Sequence, residues 1–415
     1  MEKVKLSNLS LQLEDILLKE GYARGTIRAY KKTWEELSGY MDKHGLAYYS
    51  ADVGQGFLEE LHTTCNYDDL NDYQKGQVRH ISLLTDLFLY GRVQLGEKRK
   101  KNVVFEGEVG SLFRDFVKEE KERIAESTIC YYKNLIYHFY LYLKEEGKTA
   151  KDITPPLVIS FIKMIETKKG LPFAKAISTA MRAFLKYLCS HKWLQNNNTE
   201  TWMALLKYKQ VNNPILPSVY TREEIENVIA VIDRSTSKGK RDYALLLLAS
   251  RTGLRASDIV GLRFCNLRWE SNTIAIVQQK TGRRVTLPLS EEVGSAIIEY
   301  IKHARPVVDL PYVFITAHAP YIGMSPHSLY RCVSQYMNLA GFDRKCRKSG
   351  PHTMRHSLAV ELLEGGTPLP VITGVLGHKT QESTLAYTRV SIEMLRKCAL
   401  EVPFVPSLFY ENLYE

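Results

Sequence analysis

Along the first two hundred residues, apolar side chains recur at i, i+3, i+4 and i+7, the spacing that lines one face of an α-helix. The pattern also repeats in residue identity. "GTIRAYKKTWEELSGYMDKHG" (25–45) resembles "STICYYKNLIYHFYLYLKEEG" (127–147) at an offset of 102. Both carry Thr-Ile-x-x-Tyr-Lys, as Thr26, Tyr30 and Lys31 and again as Thr128, Tyr132 and Lys133. Further on, "ISLLTDLFLY" (81–90) resembles "ISTAMRAFLKY" (177–187). Two matched segments in the same order predict a duplicated module of about four amphipathic helices per copy.

Two linkers separate three blocks. "QLGEKRKKNVVFEGE" (94–108) is charged and bounded by glycines. "KQVNNPILPSVYTREE" (209–224) is held extended by Pro214 and Pro217, and Thr221 with Glu224 forms a capping box that opens the next helix. The predicted organisation is a helical module at 1–100, a second at 105–210, a third block at 219–400 and a tail at 401–415. In the third block the pattern changes. "KRDYALLLLASRTGL" reads as a buried helix, and "NTIAIVQQKTGRRVTLPLS" as strand, turn at Thr281-Gly282, and strand. The remainder reads as helices broken at Gly and Pro. The fold class is therefore mostly α, with a small antiparallel sheet confined to the third block.

Composition narrows the partners. The 415 residues are 45% hydrophobic and 25% charged, a soluble composition with room for two or three domains. No apolar run approaches the ~20 residues of a membrane span, and the N-terminus lacks the apolar block of a signal peptide. Seven cysteines at 65, 130, 189, 265, 332, 346 and 398 show no CxxC pair. That pattern suggests reduced thiols in the cytoplasm and no structural zinc. The net charge of +10 favours a polyanionic partner, most simply nucleic acid. The first hundred residues hold slightly more acid than base, so the excess lies in the last two thirds.

The third block also holds the candidate chemistry. "RTGLRASDIVGLRF" places Arg255 just past a glycine-bearing bend, at the start of a helix, with Asp258 one turn on to orient it. Lys280 sits at the tip of the predicted hairpin. "GPHTMRH" puts His352 and Arg355 three residues apart, on one helix face. "LGHKTQESTLAYTRV" (376–390) supplies His378 and, nine residues on in a stretch expected to be helical, Tyr387. Taken singly these are ordinary residues, since H-x-x-R recurs by chance and a hairpin-tip lysine is usually a turn residue. The ordered set is improbable by accident.

In that ordered set the sequence resembles the tyrosine recombinase (phage integrase) family, over residues 105–400 or so. The resemblance implies a helical core-binding domain and a mixed α/β catalytic domain that clamp DNA. It maps the catalytic arginines to Arg255 and Arg355, the hairpin lysine to Lys280, the histidines to His352 and His378, and the nucleophile to Tyr387. The chemistry of the residues agrees. Attack on a phosphodiester gathers negative charge on non-bridging oxygens, which two guanidiniums match bidentately. His378 adds a donor. His352 is the expected base for Tyr387, the cations are expected to lower the phenol's pKa, and Lys280 is the expected acid for the leaving 5′ oxygen. A 3′-phosphotyrosine conserves the bond energy, so strand exchange needs no ATP. No cofactor or catalytic metal is expected, because the set contains no carboxylate cluster.

The expected partner is double-stranded DNA carrying recombination sites, with accessory DNA-bending or excision factors. The resemblance implies a homotetramer on synapsed DNA, compatible with a monomer in solution. Lys133, Lys168, Lys169, Arg283 and Arg284 are candidate phosphate contacts, as is the basic run "DRKCRKSG" (343–350). Most aromatics of "YYKNLIYHFYLYLK" (131–144) are expected in a helix core. The module at 1–100 lies outside the short members' pattern and is a candidate extra DNA-binding domain. Pro403 and Pro406 predict a tail that leaves as an arm, with Phe404, Leu408, Phe409 and Leu413 buried on its own domain or on a neighbouring protomer. The leading reading is an integrase or transposase of a mobile element. A type IB topoisomerase and a non-catalytic DNA-binding regulator are the alternatives.

Overall fold

The computed structural model describes residues 4–62, 70–93, 95, 103–193, 204, 206, 218–342 and 347–388. The tail, most of both linkers and residues 343–346 of the basic run lie outside them. By its contacts the chain divides into two units, 1–97 together with 215–415, and 98–214.

Residues 98–214 form a bundle of α5 (Gly107–Arg123), α6 (Glu126–Glu145), α7 (Pro155–Lys169) and α8 (Leu171–Ser190). Its core is aromatic, with Phe113, Phe116, Phe139, Phe161 and Phe184 fully buried. The aromatics of 131–144 divide accordingly: Phe139 and Tyr140 are core and Tyr131 is exposed. The N-terminal module likewise contains four helices, α1 (Leu6–Lys19), α2 (Arg24–Lys43), α3 (Ala51–Leu61) and α4 (Asp72–Tyr90). Both α2 and α6 are 20 residues long and begin 102 residues apart. Ile27, Trp34, Leu37 and Met41 are buried in the first, and Ile129, Ile136, Phe139 and Leu143 at the equivalent positions of the second. The repeat in sequence is thus a repeat in which face is buried.

The third block opens where the capping box places it. Glu224 N donates to Thr221 Oγ1 at 3.2 Å and Thr221 N to Glu224 Oε2 at 2.8 Å, starting α9 (Arg222–Ala230). In α10 (Ser237–Thr252) every residue from Ala244 to Leu248 is wholly buried. A helix apolar on all sides belongs in a core, and α10 packs against α12 (Glu291–His303) and α14 (Pro351–Glu364). Between them lie the short α11 (Ala256–Val260) and an antiparallel sheet in the order β1 (Leu267–Arg268), β2 (Thr273–Val277), β3 (Arg284–Pro288). Ile274 pairs with Leu287 and Ile276 with Val285, turning these four into the core while their neighbours face outward. β1 spans two residues, too few for alternation to reveal it. The block closes with α13 (Pro326–Leu339), α14, α15 (Leu369–Leu376) and α16 (Glu382–Leu385). Ala319 of this block packs against the N-terminal module's core.

The stretch from Leu376 to Tyr387 is not one helix. Gly377 ends α15 in the left-handed conformation, at φ 63°, and only the single turn α16 follows. Among the described residues no helix is long and apolar enough to cross a membrane, and Cys130, Cys189, Cys265 and Cys332 are free thiols.

Candidate active site

Two glycine turns build the framework. Gly253 ends α10 at φ 59° and Gly377 ends α15. A Cβ at Gly377 would lie 2.5 Å from the Gln278 amide, so this turn requires glycine for space as well as for conformation. Arg355, 3% exposed on α14, bridges both turns: Nη1 donates to Gly253 O and Nη2 to Leu376 O, each at 2.7 Å. Arg255, at the N-cap of α11, donates through Nη1 to Gln278 Oε1 at 2.5 Å and through Nη2 to Gly377 O at 3.5 Å. Gln278, at the end of β2, returns its amide to Leu376 O at 3.1 Å and accepts from Thr281 Oγ1 at 2.8 Å. The two guanidiniums are close enough that, after burial, Arg255 is the main influence holding the Arg355 pKa below its ordinary value.

Asp258 does not pair with Arg255. Its carboxylate is buried and accepts the Gln279 amide at 2.9 Å, fixing the hairpin base, while Oδ2 has no hydrogen-bond partner among the described residues. Burial raises its pKa against the pull of that amide and of Arg255 and Arg355.

Tyr387 is 3% exposed, just after α16. Its ring lies 6.2 Å from that of His378 and 5.4 Å from that of His356, centroid to centroid. The nitrogen that reaches its hydroxyl is His356 Nδ1, at 3.1 Å. His352, one turn earlier on α14, is exposed, with its ring 6.0 Å from His356. The Tyr387 pKa is raised, not lowered: burial outweighs the opposing pull of Arg355, which lies against the hydroxyl, and of Arg255. The two cations pull as the sequence predicts, but desolvation is the larger effect.

His378 is held by a hydroxyl chain. Thr373 Oγ1 donates to Leu369 O at 2.8 Å, Thr384 Oγ1 lies 2.9 Å from Thr373 Oγ1, and His378 Nδ1 lies 2.9 Å from Thr384 Oγ1. Each hydroxyl has one proton. With the Thr373 proton spent on the carbonyl, the Thr384 proton serves Thr373, and His378 Nδ1 must carry its own. The neutral ring therefore has its free lone pair on Nε2. The pKa of His378 is depressed to about 4 by burial, then by Arg355, Arg255 and His356. That of His352 is lowered by desolvation, then by Arg355, Lys280 and Arg255.

Lys280 stands exposed in the turn between β2 and β3. The six residues of the sequence pattern thus gather in one block, on five elements. The outer basic residues behave differently. Arg283 donates to His378 O and, at 3.2 Å, to Lys379 O, tying the hairpin to the turn after α15. Arg284 is exposed on β3. In the separate helical unit Lys133 is half-buried, and Lys168 and Lys169 are exposed at the end of α7, with Lys169 over the Phe173 ring. Of the run at 343–350, Arg347 is engaged by Glu224 and by Val219 O. Sequence reading missed Gln278 and His356. Nothing in the pattern marks a strand-end glutamine. His356 was legible as the last residue of "PHTMRH", four after His352 and so on the same helix face.

The profile of the phage integrase family matches residues 218–394. The protein y4gC of Sinorhizobium fredii, named as an integrase/recombinase, is 36% identical over 189 residues, covering 45% of this chain and 97% of that protein. Its namesake y4rA from the same organism is 30% identical over 282 residues, covering 68% of this chain and 67% of that one. In fold, the chain is similar to the XerH site-specific recombinase in a post-cleavage complex with its difH substrate. The TM-score is 0.55 and the identity 21%, over 83% of this chain and 93% of that one. The chain belongs to the phage integrase family, and is a site-specific tyrosine recombinase that cleaves and rejoins DNA.

Proposed function

We propose that the protein works through a 3′-phosphotyrosine formed by Tyr387, as the integrase or transposase of a mobile element. The observation that supports this most is the gathering of Arg255, Arg355 and His378 around one buried tyrosine. Arg255 and Arg355 bind the non-bridging oxygens, whose charge grows as phosphorus is attacked. Their outer bonds go to carbonyls and an amide, so each guanidinium is positioned before DNA arrives. His378 gives the phosphate a donor from Nε2 once it is protonated, and an arriving phosphate raises its pKa toward that state. His352 stands at the exposed edge of the same group of cations. Lys280 protonates the leaving 5′ oxygen. The bond energy is kept in the phosphotyrosine, so a second 5′-hydroxyl can reverse the step without ATP.

The unit at 105–210 is read as the core-binding domain, with Lys133, Lys168 and Lys169 on phosphates, and residues 1–100 as an additional DNA-binding module. A tetramer on two synapsed sites, acting in the cytoplasm, completes the reading. One experiment separates it from a nicking-closing topoisomerase. Plasmids with and without paired sites from DNA flanking the protein's own gene are incubated with it, without ATP. Site-dependent exchange products support recombination. Relaxation of the site-free supercoiled plasmid at an equal rate, with no exchange, would support the topoisomerase instead.

A further inference from the structure

We propose that His356, and not the exposed His352, takes the proton from the Tyr387 hydroxyl as the phenol attacks phosphorus. The inference rests on the reading that Tyr387 is the nucleophile.

The Tyr387 oxygen has two neighbours able to hydrogen-bond it, the Arg355 guanidinium and His356 Nδ1. A guanidinium has donors only, so any bond it makes to the hydroxyl uses a lone pair of the phenolic oxygen and leaves the phenolic proton for another acceptor. Among the described residues, the acceptor within hydrogen-bond reach of that proton is His356 Nδ1, 3.1 Å away. With that nitrogen accepting the phenolic proton, the neutral ring carries its own proton on Nε2. His378 approaches the tyrosine face to face, at 18° between ring planes, with Nδ1 committed to Thr384. Among the described residues, His356 and not His352 makes the imidazole hydrogen bond to the hydroxyl, and the His352 ring centroid lies 6.0 Å from that of His356.

The surroundings keep His356 ready to accept. Burial depresses its pKa to about 4, assisted by His352 and Arg355 on its own helix and by Lys348 from the preceding segment. His378, at the end of α15, interacts with the same ring. At neutral pH the imidazole is therefore unprotonated. The step balances without any added reactant. The Tyr387 Oη–P bond forms, the P–O5′ bond breaks, the phenolic proton moves to His356 Nδ1, and the leaving O5′ takes its proton from Lys280. Rejoining runs the same transfers backward. The new imidazolium lies beside a phosphoryl group that has gained negative charge, which favours the transfer during attack and not before it.

The test is single-turnover cleavage of a nicked suicide duplex, built from a fragment of DNA flanking the protein's own gene that the protein binds in gel shifts. His356→Asn keeps an acceptor near the Nδ1 position but cannot take the proton. Its cleavage at pH 7 is expected to fall by ~10²–10⁴, with site affinity and melting temperature near wild type. Between pH 7 and 9 its rate should climb about tenfold per unit, as prior ionisation of the phenol replaces the base, whereas the wild-type rate stays flat. His356→Ala should be rescued by added imidazole. Cleavage by His356→Asn within ~3-fold of wild type would overturn the assignment, as would a His356→Ala variant that binds the site normally and is not rescued. Tyr387→Phe runs in parallel. An adduct from it would remove the nucleophile itself, a failure distinct from a normal rate for His356→Asn.

Discussion

Arg255 Nη1 donates to Gln278 Oε1 at 2.5 Å, and the same glutamine holds Leu376 O at 3.1 Å. One buried amide thus joins a guanidinium to the end of the hairpin strand and to the turn that carries His378. The hairpin is tied a second time, through Arg283, to the carbonyls of His378 and Lys379. Any motion of the lysine-bearing turn is therefore felt at both places.

Gln278→Ala should leave the fold and DNA affinity largely intact while slowing cleavage. The buried Leu376 carbonyl loses a partner and Arg255 loses its anchor, at ~1–3 kcal/mol. That corresponds to a drop of roughly 10- to 100-fold in rate if the loss falls on the transition state. Single-turnover cleavage at saturating protein measures it. An unchanged rate would show that Gly377 O and the phosphate suffice to place Arg255.

Replacing the arginines by lysine separates charge from geometry. Arg255→Lys should bind DNA and still cleave poorly, because an ammonium cannot offer two parallel donors to a phosphate. Arg355→Lys should also lower the melting temperature, since Arg355 bonds two buried carbonyls, at Gly253 and Leu376. Thermal melts beside cleavage rates test both. Near-normal cleavage by both variants would mean that charge alone is enough.

Lys280→Ala should lose ~10²–10⁴ in cleavage on an ordinary substrate. On a duplex with sulfur at the scissile 5′ position it should recover most of that loss, because a thiolate leaves without a proton. Equal defects on both substrates would give Lys280 a positioning role.

Much of this was legible beforehand, for physical reasons. The α10 run of leucines, the capping box at Thr221 and the hairpin turn are local signals, and local signals survive folding. The repeat of α2 in α6 was visible because the same face must be buried twice. What was not legible depends on direction. Asp258 stands one turn from Arg255, a spacing that suits an ion pair, yet its carboxylate turns to the Gln279 amide. Which histidine meets Tyr387 is set by how α14 rotates against α16, and spacing along one helix cannot give that. The rise in the Tyr387 pKa is likewise a property of enclosure, whereas sequence shows only the charges.

Stability should fall in acid for a definable reason. His356 and His378 are depressed to about 4 in the folded protein, and His80 of the N-terminal module likewise. In the unfolded chain each returns to about 6.5, so between these values the unfolded state binds more protons and gains stability. The contribution of the neutral rings is full above pH ~6.5 and is lost as pH falls toward ~4, by roughly 1–3 kcal/mol for the partly solvated His356 and His378. Melting temperature against pH should therefore drop most steeply in that window. Replacing His378 by Gln should flatten the drop, and an unaltered profile would indicate that the His378 ring is not held neutral in the folded protein.

The proposed bond between Tyr387 and DNA is tested most directly by identifying the residue in the trapped adduct. Wild-type protein is incubated with the suicide duplex, denatured and digested with protease and nuclease, and the nucleotide-bearing peptide is sequenced by mass spectrometry. The expected product is a phosphotyrosyl peptide containing Tyr387 linked to a 3′ nucleotide, with no adduct from Tyr387→Phe although that variant still shifts the same DNA. A denaturant-resistant adduct formed by the Phe variant, or a nucleotide mapped to any other side chain, would contradict it.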